Sequence, residues 1–283
     1  MTTVNFEPIT PHLGANALIA ADHLLDDGVG DQIRAALDKY GVLVFPQINI
    51  DDDTLIAFTN TIGQMKPSKV DGGKGIYHVT LGKGEKLQEE YVKGNDYWHM
   101  DGTSHEIPNK ATLLKCEVPP NRGGETDFAH LFAAYEALPE DKKQQLEGLR
   151  VIHCMAAVGR KLYDHPSEED FERWNAAFGP TEQPLVWHQK SGRTSLVIGS
   201  TADSIVGLSQ EESQALLTDL LDWSTQEQFT YRHQWQKGDL VIFNNPGMLH
   251  RSQPYTEDSG RLMHRSVLEG EEAFSGAQEA ALA

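Results

Sequence analysis

The chain has 283 residues and a formal charge of −18, from 42 acidic against 24 basic side chains. That balance speaks against nucleic acid or an anionic membrane as the main partner. Two cysteines, Cys116 and Cys154, stand in no CxxC pair, which excludes a disulfide framework and fits a reducing, cytoplasmic home.

The amino terminus shows no basic-then-apolar signal pattern, and no later window approaches 18 uninterrupted apolar residues, so a soluble protein is expected. In chain order, Asp31 opens a helical spacing of apolar residues that ends at Gly41. Val42-Leu43-Val44-Phe45 follows as a strand, closed by Pro46. Asp51, Asp52 and Asp53 then open a helix over 54–62, with acidic groups at its positive dipole end and Gly63 as its stop. From 66 to 95 the composition turns to Gly, Lys and polar residues, most flexible at Asp71-Gly72-Gly73-Lys74-Gly75. Loops around short strands are predicted here, either a lid over substrate or a solvated connection. Tyr97-Trp98-His99-Met100-Asp101-Gly102 reads as a strand.

Further strands are predicted over 111–118 and from 125, with the turn Pro119-Pro120-Asn121-Arg122-Gly123-Gly124 between them. Helices follow over 131–138 and over 139–146, the second with Pro139 as its first residue, and 151–154 returns to strand. Residues 159–184 read as an inserted, lid-like segment carrying a helix capped at Ser167. A hairpin joins 184–188 to 194–198, and 209–223 is the clearest amphipathic helix, capped by Ser209 with Glu211 and Glu212 in its first turn. Strands over 229–235, 240–243 and 261–268 follow, and 271–283 is expected to fray. No repeat or linker divides the chain. The simplest architecture is a single domain over 1–283, mainly β, a barrel or jelly roll with helices packed outside.

The chemistry starts at His99 and Asp101, because residues two apart on a strand share a face. A nitrogen and a hard oxygen ligand suit a ferrous ion, and one more histidine completes a facial triad. An ordinary strand with a surface aspartate would show the same pair. Far downstream, Asn245-Pro246-Gly247-Met248-Leu249-His250-Arg251 offers that histidine, with Arg261 and Arg265 beyond it. Tyr97 shares the expected strand face of His99 and Asp101 and would border a pocket there. His105, His130, His153, His165, His188, His233 and His264 show no ligand spacing and read as surface or core residues. Gly72-Gly73-Lys74-Gly75 lacks the context of a phosphate loop, and no Gly-x-Ser-x-Gly marks a serine hydrolase.

An ordered set of motifs carries a resemblance: Asn95-Asp96-Tyr97-Trp98-His99-Met100-Asp101, Gly123-Gly124-Glu125-Thr126, Ala133-Ala134-Tyr135-Glu136-Ala137-Leu138, then Asn245 to His250, and Arg261-Leu262-Met263-His264-Arg265. Together they resemble the taurine dioxygenase and 2,4-dichlorophenoxyacetate dioxygenase family of Fe(II)/2-oxoglutarate-dependent oxygenases. The resemblance implies a double-stranded β-helix, a jelly-roll and cupin-like core, with His99, Asp101 and His250 as iron ligands. It implies that Arg261, eleven residues beyond His250, grips the far carboxylate of 2-oxoglutarate, with Thr126 as a second contact. Asn95 and Arg265 match positions near the substrate in some relatives.

The reaction so implied consumes O2 and 2-oxoglutarate, releases succinate and CO2, and oxidises an unactivated carbon, by default through hydroxylation. Asp101 argues against halogenation, since halogenating relatives carry a small residue there. The small-molecule substrate stays open, an organic acid being suggested by Arg265; a homo-oligomer, dimer or tetramer, is the family habit. The segment after Gly63 lacks the histidine that taurine-specific relatives carry, so taurine itself is not implied. Two other readings stand beside this one: a cupin-like iron enzyme without 2-oxoglutarate, and a jelly-roll binding protein without catalysis.

Overall fold

The computed structural model describes residues 2–67, 75–82 and 85–275. Of the loop read as most flexible only Gly75 is described, and of the expected frayed tail only 271–275; the rest of both lies outside the described residues.

Strand Val42–Phe45 shows how the molecule is layered, because all four of its residues are buried. A strand covered on both faces needs apolar side chains throughout. Leu43 and Phe45 pack outward against helices Val29–Tyr40 and Asp52–Ile62, in a core with Ile33, Leu55 and Phe58. Val42 and Val44 face inward, with Leu114, Val241 and Phe243, toward Phe128 and Met248 of a second sheet.

The larger sheet has seven strands in the order Asn5–Pro8, Ala15–Leu18, Val42–Phe45, Leu240–Asn244, Ala111–Val118, Leu262–Leu268, Tyr77–Val79. The smaller one facing it has Thr126–His130 between Thr230–His233 and Met248–Ser252. Pairing within these two sheets is antiparallel except where Ala15–Leu18 meets Val42–Phe45. Phe128 and Phe243, one from each sheet, touch with ring centroids 5.3 Å apart. A further sheet carries Arg150–His153 between Ala202–Ile205 and Thr181–Pro184, and Val186–His188 pairs with Thr194–Leu196 as the predicted hairpin.

The described strands do not close into a barrel, and helices hold more of the described residues than strands do. The fold is therefore mixed rather than mainly β. The expectation missed Lys86–Gly94 and Met155–Leu162, helices in segments read as loop or left unassigned. Neither has a capping side chain at its start, so tertiary contacts rather than local signals hold them. Glu90 is the clearest such contact. It is buried and receives Arg173, Trp174 and Tyr163, which ties Lys86–Gly94 to helix Glu168–Phe178. The caps that were legible are in place: Asp51 accepts from the Thr54 amide, and Ser167 and Ser209 close capping boxes. Pro139 is the N-cap of Glu140–Leu146 rather than its first residue.

Helices Val29–Tyr40 and Asp52–Ile62 approach closely at Gly30, where a Cβ would sit 2.2 Å from the Thr61 carbonyl oxygen. Alanine at Gly30 would gain up to about 1 kcal/mol of helix propensity, but overpacking against rigid backbone costs ~1–3 kcal/mol. Gly30→Ala is therefore expected to lower the thermal midpoint, and a rise in Tm would show that the helices separate freely.

Candidate active site

His99 and Asp101 are not on a strand. His99 makes one isolated antiparallel bridge, its N–H donating to the His250 carbonyl at 3.0 Å and the His250 N–H to its own carbonyl at 2.9 Å. At Asp101 the chain enters a turn, with Gly102 at φ +86°. Asn245 explains the departure. Its side-chain oxygen accepts from the Asp101 amide at 2.9 Å, and its Nδ2 donates to the carbonyls of Asp101 at 2.6 Å and Asn109 at 3.0 Å. A buried amide thus replaces the neighbouring strand. The sequence reading quoted Asn245 only as part of a motif; the clue was an amide side chain preceding Pro246-Gly247 between two strands.

The triad does converge: His99, Asp101 and His250 bring ligand atoms within 4.8 Å of one another, all in buried positions. The His99 Nδ1–H faces the Tyr97 carbonyl at 2.9 Å, which leaves Nε2 as the lone-pair nitrogen, 3.8 Å from Asp101 Oδ1. Thr112 donates to Asp101 Oδ2 at 3.0 Å, and Arg265 approaches the same oxygen at 3.6 Å. Burial holds both imidazoles below their ordinary range, His250 well below. Burial pushes the Asp101 carboxyl up, but the Arg265 guanidinium above all, with the Thr112 hydroxyl bond, outweighs it and keeps it far below the usual carboxylate range. Two neutral imidazoles and one carboxylate are the protonation states a divalent metal requires.

A second cluster, Asp52, His78 and His264, is a useful contrast. Its two rings are stacked 4.2 Å apart with planes only 13° from parallel, so their in-plane lone pairs do not meet. Asp52 Oδ1 already receives the buried Lys115 ammonium at 2.7 Å and the His264 ring at 2.7 Å. The His99 and His250 rings, by contrast, are inclined at 47° with centroids 4.0 Å apart. As expected of alternating strand residues, His264 faces away from Arg265's side of the sheet.

Beside the triad a cavity of about 40 Å³ is lined by Thr126, Arg261, Tyr255, His99 and His250 among others. Arg261 is only 4 % exposed, and no described carboxylate comes within ion-pair distance. Its guanidinium lies 4.7 Å from the Tyr255 ring centroid, and its Nε has no hydrogen-bond partner. Burial raises Asp96 to about 6 although Arg261 and Lys93 pull it down, so this carboxyl senses Arg261 only from beyond ion-pair distance. An unpaired buried cation is costly, and an anionic ligand removes the cost. Gly124 makes the space: at φ +70°, a Cβ there would meet Arg261 Cδ at 3.0 Å and Pro120 Cγ at 2.7 Å. Thr126 accepts from the Trp235 indole at 3.0 Å, which leaves its own hydroxyl hydrogen to donate. Trp235 is itself buried, so it packs the core and holds Thr126 at once.

On the other side opens a cavity of about 640 Å³, reached by Asn95, His99, Asp101 and Arg265. Leu87, Tyr91, Val92, Met155, Val158 and Phe178 give it apolar walls from the two unforeseen helices and from Glu168–Phe178. Among the described residues, Arg265 and Lys66 are its cations, and Glu85 its other acid besides Asp101. Tyr97 does not join this site: its hydroxyl donates to the Lys161 carbonyl at 2.7 Å, and it lines neither cavity. With no strand at 97–101, the same-face argument for Tyr97 fails. Asn95 caps helix Lys86–Gly94 and accepts from the Ser252 amide at 2.7 Å, while its side chain borders both cavities.

Two outcomes follow from this geometry. Asn245→Ala should free the Asp101 turn and weaken Mn(II) binding by about 10–100-fold, the usual effect of losing a ligand's support, as read by metal titration; unchanged affinity would remove Asn245 from that role. Burial also pushes His130 and His153 down to about 4 from 6.5. Between those values the unfolded chain binds protons that the folded chain refuses, so stability falls as pH falls through that window. Urea midpoints of the metal-free protein should decline from about pH 6.5 to about 4, less steeply in His130→Gln.

Residues 5–267 match the family described as taurine catabolism dioxygenase TauD, TfdA family. The chain is 34% identical over 252 residues to the alpha-ketoglutarate-dependent 2,4-dichlorophenoxyacetate dioxygenase of Cupriavidus pinatubonensis, covering 83% of this chain and 87% of that one. It is 32% identical over 255 residues to the (S)-phenoxypropionate/alpha-ketoglutarate-dioxygenase of Sphingobium herbicidovorans, covering 88% and 89%. Among solved structures, AAD-2 in complex with Mn(II) and N-oxalylglycine superimposes with a TM-score of 0.82 at 29% identity, over 96% of this chain and all (100%) of that one. A taurine dioxygenase from Burkholderia xenovorans gives 0.79 at 26%, over 98% and 94%. No described helix is long and apolar enough to cross a membrane. With a triad in ligand-ready form beside an unpaired buried arginine, the chain belongs to the TauD/TfdA family of Fe(II)- and 2-oxoglutarate-dependent dioxygenases.

Proposed function

We propose that His99, Asp101 and His250 hold Fe(II), that Arg261 and Thr126 hold the far carboxylate of 2-oxoglutarate, and that the larger cavity takes an organic acid with an apolar body. The observation that carries this is the pair of cavities that share His99 and Arg265, the smaller one holding the buried Arg261 as well. On this reading the two facing sheets are the double-stranded β-helix, a jelly-roll core, and residues 5–267 form one catalytic domain.

Three protein ligands leave positions open for a chelating 2-oxo acid and dioxygen. Bound Fe(II) supplies the oxidising chemistry: 2-oxoglutarate is oxidatively decarboxylated to succinate and CO2, and a substrate carbon is oxidised, by default hydroxylated. The chain's residues do the rest. Arg261 presents a fixed fork of donors, which aligns a carboxylate better than a lysine would. Thr126 adds a neutral donor at the same end. Arg265 reaches both cavities and faces an acid group of the substrate, while Leu87, Val92, Met155 and Val158 exclude water around its body.

The relatives act on phenoxyalkanoates, and one of Pseudomonas putida on sulfate esters, all anions with an apolar part. A cupin-like enzyme without 2-oxoglutarate would leave Arg261 buried and unpaired to no purpose. The experiment is anaerobic titration of Fe(II) protein with 2-oxoglutarate, followed by its visible charge-transfer absorption, then succinate release on admitting oxygen. His99→Ala should abolish both signals. Arg261→Ala should weaken 2-oxoglutarate binding about 100-fold with metal binding retained; equal 2-oxoglutarate affinity would refute its role. Arg265→Met should weaken 2,4-dichlorophenoxyacetate or (S)-phenoxypropionate binding far more than it weakens 2-oxoglutarate binding.

A further inference from the structure

Behind the larger cavity lies a polar chain that the proposed chemistry does not use. His153, at the end of strand Arg150–His153, is 0% exposed. Its Nδ1 sits 2.8 Å from Thr201 Oγ1, and Thr201 Oγ1 sits 3.0 Å from Thr103 Oγ1. Thr103 and Thr201 both line the cavity, and Thr103 stands two residues beyond Asp101. The wall is fixed in place: Gln183 donates to the carbonyls of Thr103 and His105, both at 3.1 Å, and the Cys154 amide donates to the Thr201 carbonyl at 2.9 Å.

A buried imidazole held neutral has one hydrogen and one lone pair to place. The backbone group that favours a proton on this ring is Val197, whose carbonyl can only accept. Nε2 has no partner in strict hydrogen-bond geometry, and Nδ1 is taken by Thr201. With Nδ1 engaged by Thr201, Nε2 is the nitrogen left to meet that backbone acceptor, and a proton on Nε2 serves it. Nδ1 then accepts from the Thr201 hydroxyl, and Thr201 Oγ1 accepts from the Thr103 hydroxyl. Each hydroxyl has a single hydrogen, and both are now spent. What Thr103 has left for the cavity is a lone pair.

We propose that His153 is a positioning residue for substrate recognition: through Thr201 it turns the Thr103 hydroxyl into an acceptor, so the cavity selects acids that also carry a hydroxyl or N–H donor. This rests on the reading of the larger cavity as the acid-binding site. Donor and acceptor walls discriminate strongly, because a mismatched buried polar group loses its hydrogen bond and keeps its desolvation cost.

Two measurements test it. In metal-free protein labelled with 15N-histidine, a long-range proton–nitrogen spectrum at neutral pH, assigned by the signals lost in His153→Asn, should show the Nε2–H tautomer. An Nδ1–H tautomer would make the wall a donor and overturn the proposal. Calorimetry on Mn(II)- and N-oxalylglycine-loaded protein would then compare ring-hydroxylated phenoxyacetates with their methyl ethers. At least one hydroxylated isomer should bind about tenfold more tightly than its ether. The isosteric Thr103→Val and the apolar His153→Phe should bring the ratio near unity, while His153→Asn, whose side-chain oxygen replaces Nδ1, should keep it. Equal binding of every pair, or an unchanged ratio in Thr103→Val, would overturn this proposal alone. No binding of any of these acids to the wild-type protein would overturn both it and the acid-site reading.

Discussion

The single backbone bridge between His99 and His250 is the constraint on which the site depends. An antiparallel pair that exchanges both N–H···O bonds holds its two Cα atoms about 5.5 Å apart, side chains on one face. Two imidazoles are thereby delivered to one point whatever the rest of the loop does. The third ligand cannot come from the same ladder, because the chain must turn at Asp101 to aim a carboxylate inward. Asn245 performs that turn. It lies just ahead of His250, at the start of the segment that leads into strand Met248–Ser252, so one short stretch supplies both a ligand and the brace for another.

The surrounding sheet makes that bridge rigid. Asp127, nearly buried, accepts from Arg232, Arg251 and Gln253, which joins three neighbouring segments of the smaller sheet at the level of His250. Arg251 in turn lies over the Trp98 ring, its guanidinium carbon 4.7 Å from the centroid, beside His99. A buried carboxylate shared among two cations and an amide is stable because both of its oxygens accept from charged or amide donors. Arg261 is the opposite case. Its charge is buried without that compensation, and the imbalance marks a place prepared for an anion rather than for stability.

Much of this was legible in the sequence because the signals were local. Strand Val42–Phe45, the cap at Asp51 and the Ser167 and Ser209 boxes follow from residues within one turn of each other. The convergence of His99, Asp101 and His250 beside a buried Arg261 was legible through motif order, and Gly124 shows the physical content of that motif. What escaped depended on contacts distant in sequence. Lys86–Gly94 is a helix because Glu90 meets Arg173 and Trp174 more than 80 residues away. The strand drawn through His99 and Asp101 failed for the same reason, since a side-chain amide 144 residues distant replaced the ladder. Tyr97 fell with that strand.

This split between local and distant determinants also separates chemistry from selectivity. The triad and Arg261 hang on the two sheets, whose inner faces are packed through Phe128, Met248 and Phe243. The larger cavity is roofed by helices held to one another through Glu90, Asp170 and Arg173, with Lys86 on Asp170 at 2.8 Å. Few of these groups touch the sheets that carry the ligands. A substitution in the roof can therefore reshape the cavity without moving the triad, whereas the same change in the sheets would disturb both. His153 stands at the junction. Its strand belongs to neither facing sheet, yet its hydroxyl relay ends two residues from Asp101, which lets an outer layer set the polarity of a wall whose position the inner layer fixes.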